Sequence, residues 1–218
     1  GDVRGVVPQL SRALKDLGGR KATEKLSAYI QQEAAQLAEL AEEAGSKPDG
    51  STSLMHTSQF VTEATKAFPK DGIMIRDGGA TVIFQWTYSQ CKPHDVIWNQ
   101  NYGHIGTGLP YATGAMLADR AQTGVSRPGM LLTSDSSFLF HVAELETAAR
   151  CNLPLVCVVG VDHQWGLEVG VYKRTFGQGT EETGTHWSKE VRMDKVAEGF
   201  GCYGEYVTKA ADIQPAIQ

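Results

Sequence analysis

The chain has 218 residues, of which 41% are apolar and 21% charged, with 24 glycines and a formal net charge of -5. That length and balance describe a globular chain able to bury a sizeable core, and they exclude collagenous, coiled-coil and disordered classes. The acidic balance argues against a nucleic-acid-binding surface, which needs clustered Lys and Arg to release counterions.

The opening "GDVRGVVPQLSRALK" reads as a turn followed by a short amphipathic helix. Residues 22–45 are rich in Ala, Glu, Gln and Leu, with apolar positions three and four apart, which predicts a long surface helix. "SKPDGSTS" then reads as a turn-rich linker. From about residue 54 helices and strands alternate. The predicted order is helix "SQFVTEATKAF", strand "GIMIR", helix "ATVIFQWTYSQ", strand "DVIW", helix "LPYATGAMLADRAQ", strand "GMLLTS", helix "FHVAELETAAR" and strand "LPLVCVVG". A glycine-rich excursion over 166–186 follows, read as a closing loop or a plain solvated one. Helix "DKVAEGF", strand "YGEYV" and helix "AADIQPAI" complete the chain.

No stretch has the apolar length of a membrane span, and the N-terminus lacks a basic region followed by an apolar one, so the expected compartment is the cytoplasm. Cys91, Cys151, Cys157 and Cys202 show no CxxC spacing and read as reduced, structural residues.

Strands that are apolar throughout, alternating with helices, predict an α/β fold: a doubly wound, mainly parallel sheet with helices on both faces, preceded by a helical linker. In such sheets ligands sit beyond the carboxyl ends of the strands. Asp135 and Asp162 both fall there, one at the end of each of two successive strands. Two carboxylates meeting in space repel unless a cation lies between them, and a hard ion such as Mg²⁺ takes oxygen ligands and shares itself with a phosphate. "SDSS" opens a helix whose free N–H groups suit an anion, and the small Ser134, Ser136 and Ser137 allow close approach. The plainer alternative makes Asp135 an N-cap and Asp162 a loop residue. A second glycine-rich element, "NYGHIGTGLPYATGA", lies between a strand and a helix, where a cofactor loop would sit.

Together these segments resemble, over roughly residues 54–218, the C-terminal diphosphate-binding domain of thiamine diphosphate (ThDP)-dependent enzymes of the acetolactate synthase, oxalyl-CoA decarboxylase and 2-hydroxyacyl-CoA lyase group. "SDS" and "VD" stand where the family has a Gly-Asp-Gly or Gly-Asp-Ser turn and an Asn-Asn pair. The resemblance implies ThDP and Mg²⁺ as cofactors. It makes Asp135, the side chain of Asp162 and the backbone carbonyl of Gln164 the metal ligands, with Ser134, Ser136 and Ser137 at the diphosphate. "GHIGTG" is similar to the loop that props the cofactor in its bent form, with Ile105 as wedge and Gly103 and Gly106 close to the aminopyrimidine. "RDGGATVIF" resembles the segment passing the diphosphate, which implicates Gly79 and Thr81. Residues 1–15 look like the tail of an upstream central domain and 16–53 like a helical interdomain linker; the diphosphate-binding domain then covers 54–218 and would be cut short at its C-terminal end.

Two departures from the family pattern stand out: Ser134 in place of Gly, which suits a turn with negative φ, and Asp162 in place of Asn, which keeps an oxygen donor but adds a charge beside the diphosphate. The resemblance implies bond making or breaking next to a carbonyl, on a 2-oxo acid or acyl-CoA, with the cofactor as electron sink. It also implies a pyrimidine-binding domain in trans, or a homo-oligomer, to supply an activating glutamate, so that the chain alone is half an active site. The alternative is a non-catalytic ThDP-like module with a degraded site. His104 and His163 lie in the two candidate loops as proton-transfer candidates weighed against loop packing, and Trp86 and Trp165 are expected to serve the core. A dinucleotide-binding enzyme would need GxGxxG after the first strand, and a hydrolase a GxSxG elbow; neither pattern occurs.

Overall fold

The computed structural model describes residues 2–18, 24–46, 55–98, 101–181 and 184–218, apart from the side chains at 41 and 43–46. Most of the linker read over 46–53 lies outside them. The chain divides into two compact units, Gly1–Glu39 and Leu40–Gln218.

In the first unit, α1 spans Val3–Asp16 and is capped by Asp2, whose Oδ1 accepts the Arg4 N–H at 2.9 Å. Its apolar residues Val3, Val6, Val7, Leu10 and Leu14 are exposed. The long helix α2, Glu24–Ser46, begins in this unit.

The second unit is built on four parallel strands, β1 (Ile73–Arg76), β2 (Asp95–Ile97), β3 (Gly129–Ser134) and β4 (Leu155–Gly160), in the order β2-β1-β3-β4. Each connection carries a helix, as parallel pairing requires. These are α4 (Gly79–Tyr88), α5 (Gly108–Thr123), and α6 (Asp135–Phe140) with α7 (Glu144–Arg150). α3 (Thr57–Lys66) precedes the sheet, and α8 (Gly166–Phe176), α9 (Met193–Gly199) and α10 (Ile213–Ile217) follow it.

Side-chain alternation along each strand feeds two cores. Ile73, Ile75 and Leu131 join Leu109 and Ala112 of α5, Phe138 of α6, Leu145 of α7 and Met193 of α9 on one face. Leu132 meets Val61 and Ala64 of α3 and Ile213 of α10 on the other, with Phe84 and Tyr88 of α4 packed against them. Met74 and Met130, also on that second face, sit against Phe68. Arg120 ties the end of α5 to the turn before β4: its guanidinium donates to the Cys151 carbonyl at 2.8 Å, the Asn152 carbonyl at 3.0 Å and Ser126 Oγ at 3.0 Å.

The fold class expected from the sequence is the one observed, with four local corrections. "YGEYV" is not a strand: Cys202 packs into the core on one face and Val207 into the core on the other, so the segment runs between faces instead of joining the ladder. The excursion over 166–186 contains the helix α8 where a loop was expected. The helix expected over "FHVAELETAAR" breaks at His141, the C-cap of α6, and resumes as α7 at Glu144. Trp86 is half exposed, edge-on to Trp98, and is not a core residue. All four cysteines are free thiols, as expected. Among the described residues no helix is long and apolar enough to cross a membrane.

Candidate functional site

The chain moves from β1 outward to β2 and then back across β1 to β3, so the connections leave β1 and β3 in opposite directions. The crevice outside the carboxyl ends of these two strands is where a doubly wound sheet binds its ligand. Asp77 follows β1 there and Asp135 follows β3.

Gly78 and the serines meet across this crevice. Gly78 is the N-cap of α4 with φ 85, and a Cβ on it would collide with Ser137 Oγ and Ser134 Oγ. Only glycine meets both demands, a left-handed backbone and no side chain. Ser134 Oγ lies 3.0 Å from Ser136 Oγ and 3.3 Å from Ser137 Oγ. Ser134 has φ -99, so the residue standing where the family has glycine needs no left-handed backbone. Its side chain makes no cap hydrogen bond, which leaves the hydroxyl in the serine cluster. Gly78, immediately before α4, thus lies against the Ser134 and Ser137 hydroxyls of this cluster.

Asp135 is the first residue of α6 and is wholly buried. Its Oδ1 accepts the Ser136 N–H at 2.8 Å and its Oδ2 accepts the His163 N–H at 2.9 Å. Burial pushes its carboxyl up to about 6; the His163 N–H opposes that rise, and the nearby Asp162 carboxylate adds to it. Ser134 pairs with Gly160 in the sheet, so Asp135 lies one residue and Asp162 two residues beyond the last paired rung of adjacent strands. Asp162 is exposed, and its two oxygens accept from Gln164, the backbone N–H at 3.3 Å and the side-chain amide at 3.2 Å. His163 adopts φ 57, a costly conformation for a residue with a Cβ, and this conformation sets its N–H against Asp135. Among the described residues its buried ring Nδ1 has no hydrogen-bond partner.

The remaining sequence candidates are distributed as follows. Gly79 opens α4 beside Leu167 of α8. Thr81 is buried one turn in, with Oγ1 toward Gly160, inside the packing. Gly103 (φ 67) ends a short 3-10 turn over Asn101–Gly103, and both it and His104 are exposed. Ile105 is half-buried. Gly106 is buried against Phe140, with φ 91 and no room for a Cβ. Gln164 bridges to His186 as the excursion returns: Trp165 N–H donates to the Thr185 carbonyl at 2.8 Å, and Trp187 N–H to the His163 carbonyl at 3.1 Å. Phe140, Trp165 and Trp187 form an edge-to-face aromatic row beside this bridge. The structure therefore gathers Gly79, Ser134, Asp135, Ser136, Ser137, Asp162, His163 and Gln164 at the ends of β1, β3 and β4, and leaves His104 and Gly103 on an exposed turn.

Two residues of the site were not read from the sequence. Asp77 is buried, and its Oδ1 and Oδ2 accept the Gly106 N–H at 3.0 Å and the Gly108 N–H at 2.7 Å. Burial raises its carboxyl above the usual range against those two bonds. His141 Nδ1 donates to the Gly106 carbonyl at 2.6 Å. An acid ending a strand ahead of two glycines was a visible signal for Asp77; nothing local marked His141.

The family model for thiamine pyrophosphate enzymes, C-terminal TPP binding domain, matches residues 77–218. The chain belongs to this family. Thiamine diphosphate is the cofactor of that domain. Among curated proteins the chain is 26% identical to the sulfoacetaldehyde acetyltransferase of Alcaligenes xylosoxydans xylosoxydans, over 100% of this chain and 38% of that one. It is 32% identical to a probable acetolactate synthase of Mycobacterium bovis, over 75% of this chain and 29% of the relative. The chain thus spans well under half the length of these relatives. Among solved structures, benzoylformate decarboxylase from Polynucleobacter necessarius aligns with a TM-score of 0.65 at 18% identity, over 75% of this chain and 30% of that one. A 4-hydroxybenzoylformate decarboxylase from Rhodococcus jostii RHA1 aligns with the same TM-score at 23% identity, over 76% of this chain and 30% of its own. Both show the fold.

The thiamine pyrophosphate domain offers groups that fit a diphosphate and its cation. Asp135 and Asp162 follow the ends of adjacent strands, and their hard carboxylate oxygens suit Mg²⁺. Among the described residues no cluster of three or more His, Cys, Asp or Glu forms a metal site, so a cation here would complete its shell from backbone, water or phosphate oxygens.

Proposed function

We propose that this chain is the Mg²⁺-ThDP-binding half of an active site that makes or breaks a carbon–carbon bond beside a carbonyl, on a 2-oxo acid or a 2-hydroxyacyl-CoA. A pyrimidine-binding domain, on another chain or in a larger protein, completes it. Residues 1–15 and 16–53 then belong to the connection with a preceding domain.

Asp135 and Asp162 hold the cation, joined by the Gln164 carbonyl. The Ser137 N–H and the hydroxyls of Ser136 and Ser137, with the opening turn of α4 at Gly79, receive the diphosphate oxygens. Thr81 supports that turn from within. Ile105, in the loop that carries Gly103 and Gly106, would support the rings of a bound ThDP. The aromatic row of Phe140, Trp165 and Trp187 shields the same end from water. When bound, ThDP supplies an electron sink for the charge left on the carbonyl carbon when a neighbouring bond breaks. His104 and His163 are candidates for moving the proton.

The observation that carries this reading is the buried Asp135 carboxylate, pushed up to about 6 beside Asp162 and opposite the serine cluster. Calorimetric titration of the chain with ThDP, with and without Mg²⁺, tests it. Binding that requires Mg²⁺ and disappears in Asp135→Ala supports the assignment. No heat at millimolar cofactor leaves a ThDP-like module without a working site. Robust turnover of a 2-oxo acid by the isolated chain refutes the half-site part alone.

A further inference from the structure

The glycine loop between β2 and α5 is gripped by Asp77 and His141, which the cofactor reading does not use. Gly106 gives its N–H to Asp77 Oδ1 at 3.0 Å and receives His141 Nδ1 on its carbonyl at 2.6 Å. Gly108 gives its N–H to Asp77 Oδ2 at 2.7 Å. Phe140 lies against the Gly106 Cα, where a Cβ would strike it.

The two peptide units flanking Gly106 are therefore each held by a different element. The unit shared with Ile105 is held from the end of β1, and the unit shared with Thr107 from the end of α6. The stretch just upstream is open to solvent: Tyr102 and Gly103 adopt φ 60 and 67, are exposed, and a Cβ on Gly103 would meet open space. Ile105 thus sits where an open turn becomes an anchored segment. Both Asp77 oxygens accept backbone N–H groups of the loop, which ties this acid to it. A carbonyl acceptor at 2.6 Å requires the proton on His141 Nδ1, which fixes the ring's tautomer.

We propose that Asp77 and His141 are positioning residues that hold the Gly106 peptides before the cofactor arrives, so that Ile105 is already set to receive the ThDP rings. This rests on the reading of Ile105 as the residue beneath those rings. A loop with three glycines would otherwise have to be ordered on binding, at the expense of affinity.

Two measurements on the 218-residue chain test it. The first is hydrogen exchange at the Gly106 and Gly108 amides without cofactor, in the unmodified chain and in Asp77→Asn, His141→Ala and His141→Gln. Asp77→Asn keeps only one acceptor oxygen, so one of the two amides should lose protection. His141→Ala should speed exchange at Gly106, and His141→Gln, which keeps a donor, should restore it. The second is the Kd for Mg²⁺-ThDP, which His141→Ala should weaken about tenfold, the equivalent of one lost hydrogen bond. His141→Gln should recover most of that loss. A general packing defect would lower thermal stability without this selective change and without rescue by Gln. Unchanged exchange in both Asp77→Asn and His141→Ala overturns the proposal. Equal cofactor affinity in His141→Ala and the unmodified chain overturns it while leaving the cofactor reading intact. Absence of binding by the unmodified chain overturns both.

Discussion

Replacing Asp135 with Asn removes the charge that the fold holds at greatest cost. Its carboxyl is raised from an ordinary 3.8 to about 6. The folded state therefore holds this proton more tightly than the unfolded chain does, and stability falls as pH rises from about 4 to about 6. Above that range, without metal, the shift corresponds to roughly 3 kcal/mol of lost stability. The amide introduced by Asp135→Asn has a single acceptor oxygen, so it would satisfy only one of the two N–H groups, from Ser136 and His163, that the carboxylate now accepts. Leaving the other unpaired costs about 1–2 kcal/mol. The net expectation is a variant about 1–2 kcal/mol more stable than the original at pH 7.5, or roughly 2–8 °C in Tm for a chain of this size. At pH 4, where the original carboxyl is protonated, the sign reverses and the variant is the weaker of the two. Urea unfolding in EDTA across this pH range reads the effect directly. A variant destabilised equally at pH 4 and pH 7.5 would refute the reasoning, because the burial cost assigned to the charge would then be absent.

Other expectations follow from the same geometry. Mg²⁺ uptake near pH 6 should release protons, roughly half of one per ion from Asp135, seen as binding heats that change with the ionisation enthalpy of the buffer. Gly78→Ala combines a forbidden φ with a clash against Ser134 and Ser137, and should lose about 2–4 kcal/mol in chemical unfolding along with cofactor binding. Arg120→Ala leaves the carbonyls of Cys151 and Asn152 without their guanidinium donor, for a loss of about 1–3 kcal/mol with cofactor affinity unchanged. Met74→Ala opens a cavity at a fully buried position and should cost about 2–5 kcal/mol.

The sheet was legible because its strands are short apolar runs that end at Arg76-Asp77, Ser134-Asp135 and Gly160, and because a parallel sheet covered on both faces erases period-two alternation. "YGEYV" has the same composition but no ladder partner among the described strands, and pairing is a property of neighbours that local pattern does not carry. The excursion after Asp162 reads as a loop through Gly166, Gly170, Gly177, Gly179 and Gly184, yet Leu167 and Val171 keep a one-turn spacing and the chain between them is helical. The two aspartates and the serines announced themselves by position at strand ends. Asp77 stands at a strand end too, but its partners lie in a segment joined to it only by folding, and His141 contacts Gly106 because α6 stops where it does, a boundary no residue type dictated.

The residues between Gly166 and Trp187 leave the sheet and come back to their point of departure, where two backbone bonds and the Trp165–Trp187 contact close the neck. Past α8, which packs beside Gly79, an insertion would sit behind that neck and away from the strand ends. A short polar insertion after Gly179 would add only about 0.6 kcal/mol of closure entropy for each doubling of loop length, and Asp162 would not be re-aimed. The excursion is thus a port into which sequence can be written, close to the site, without disturbing the strand ends that define it.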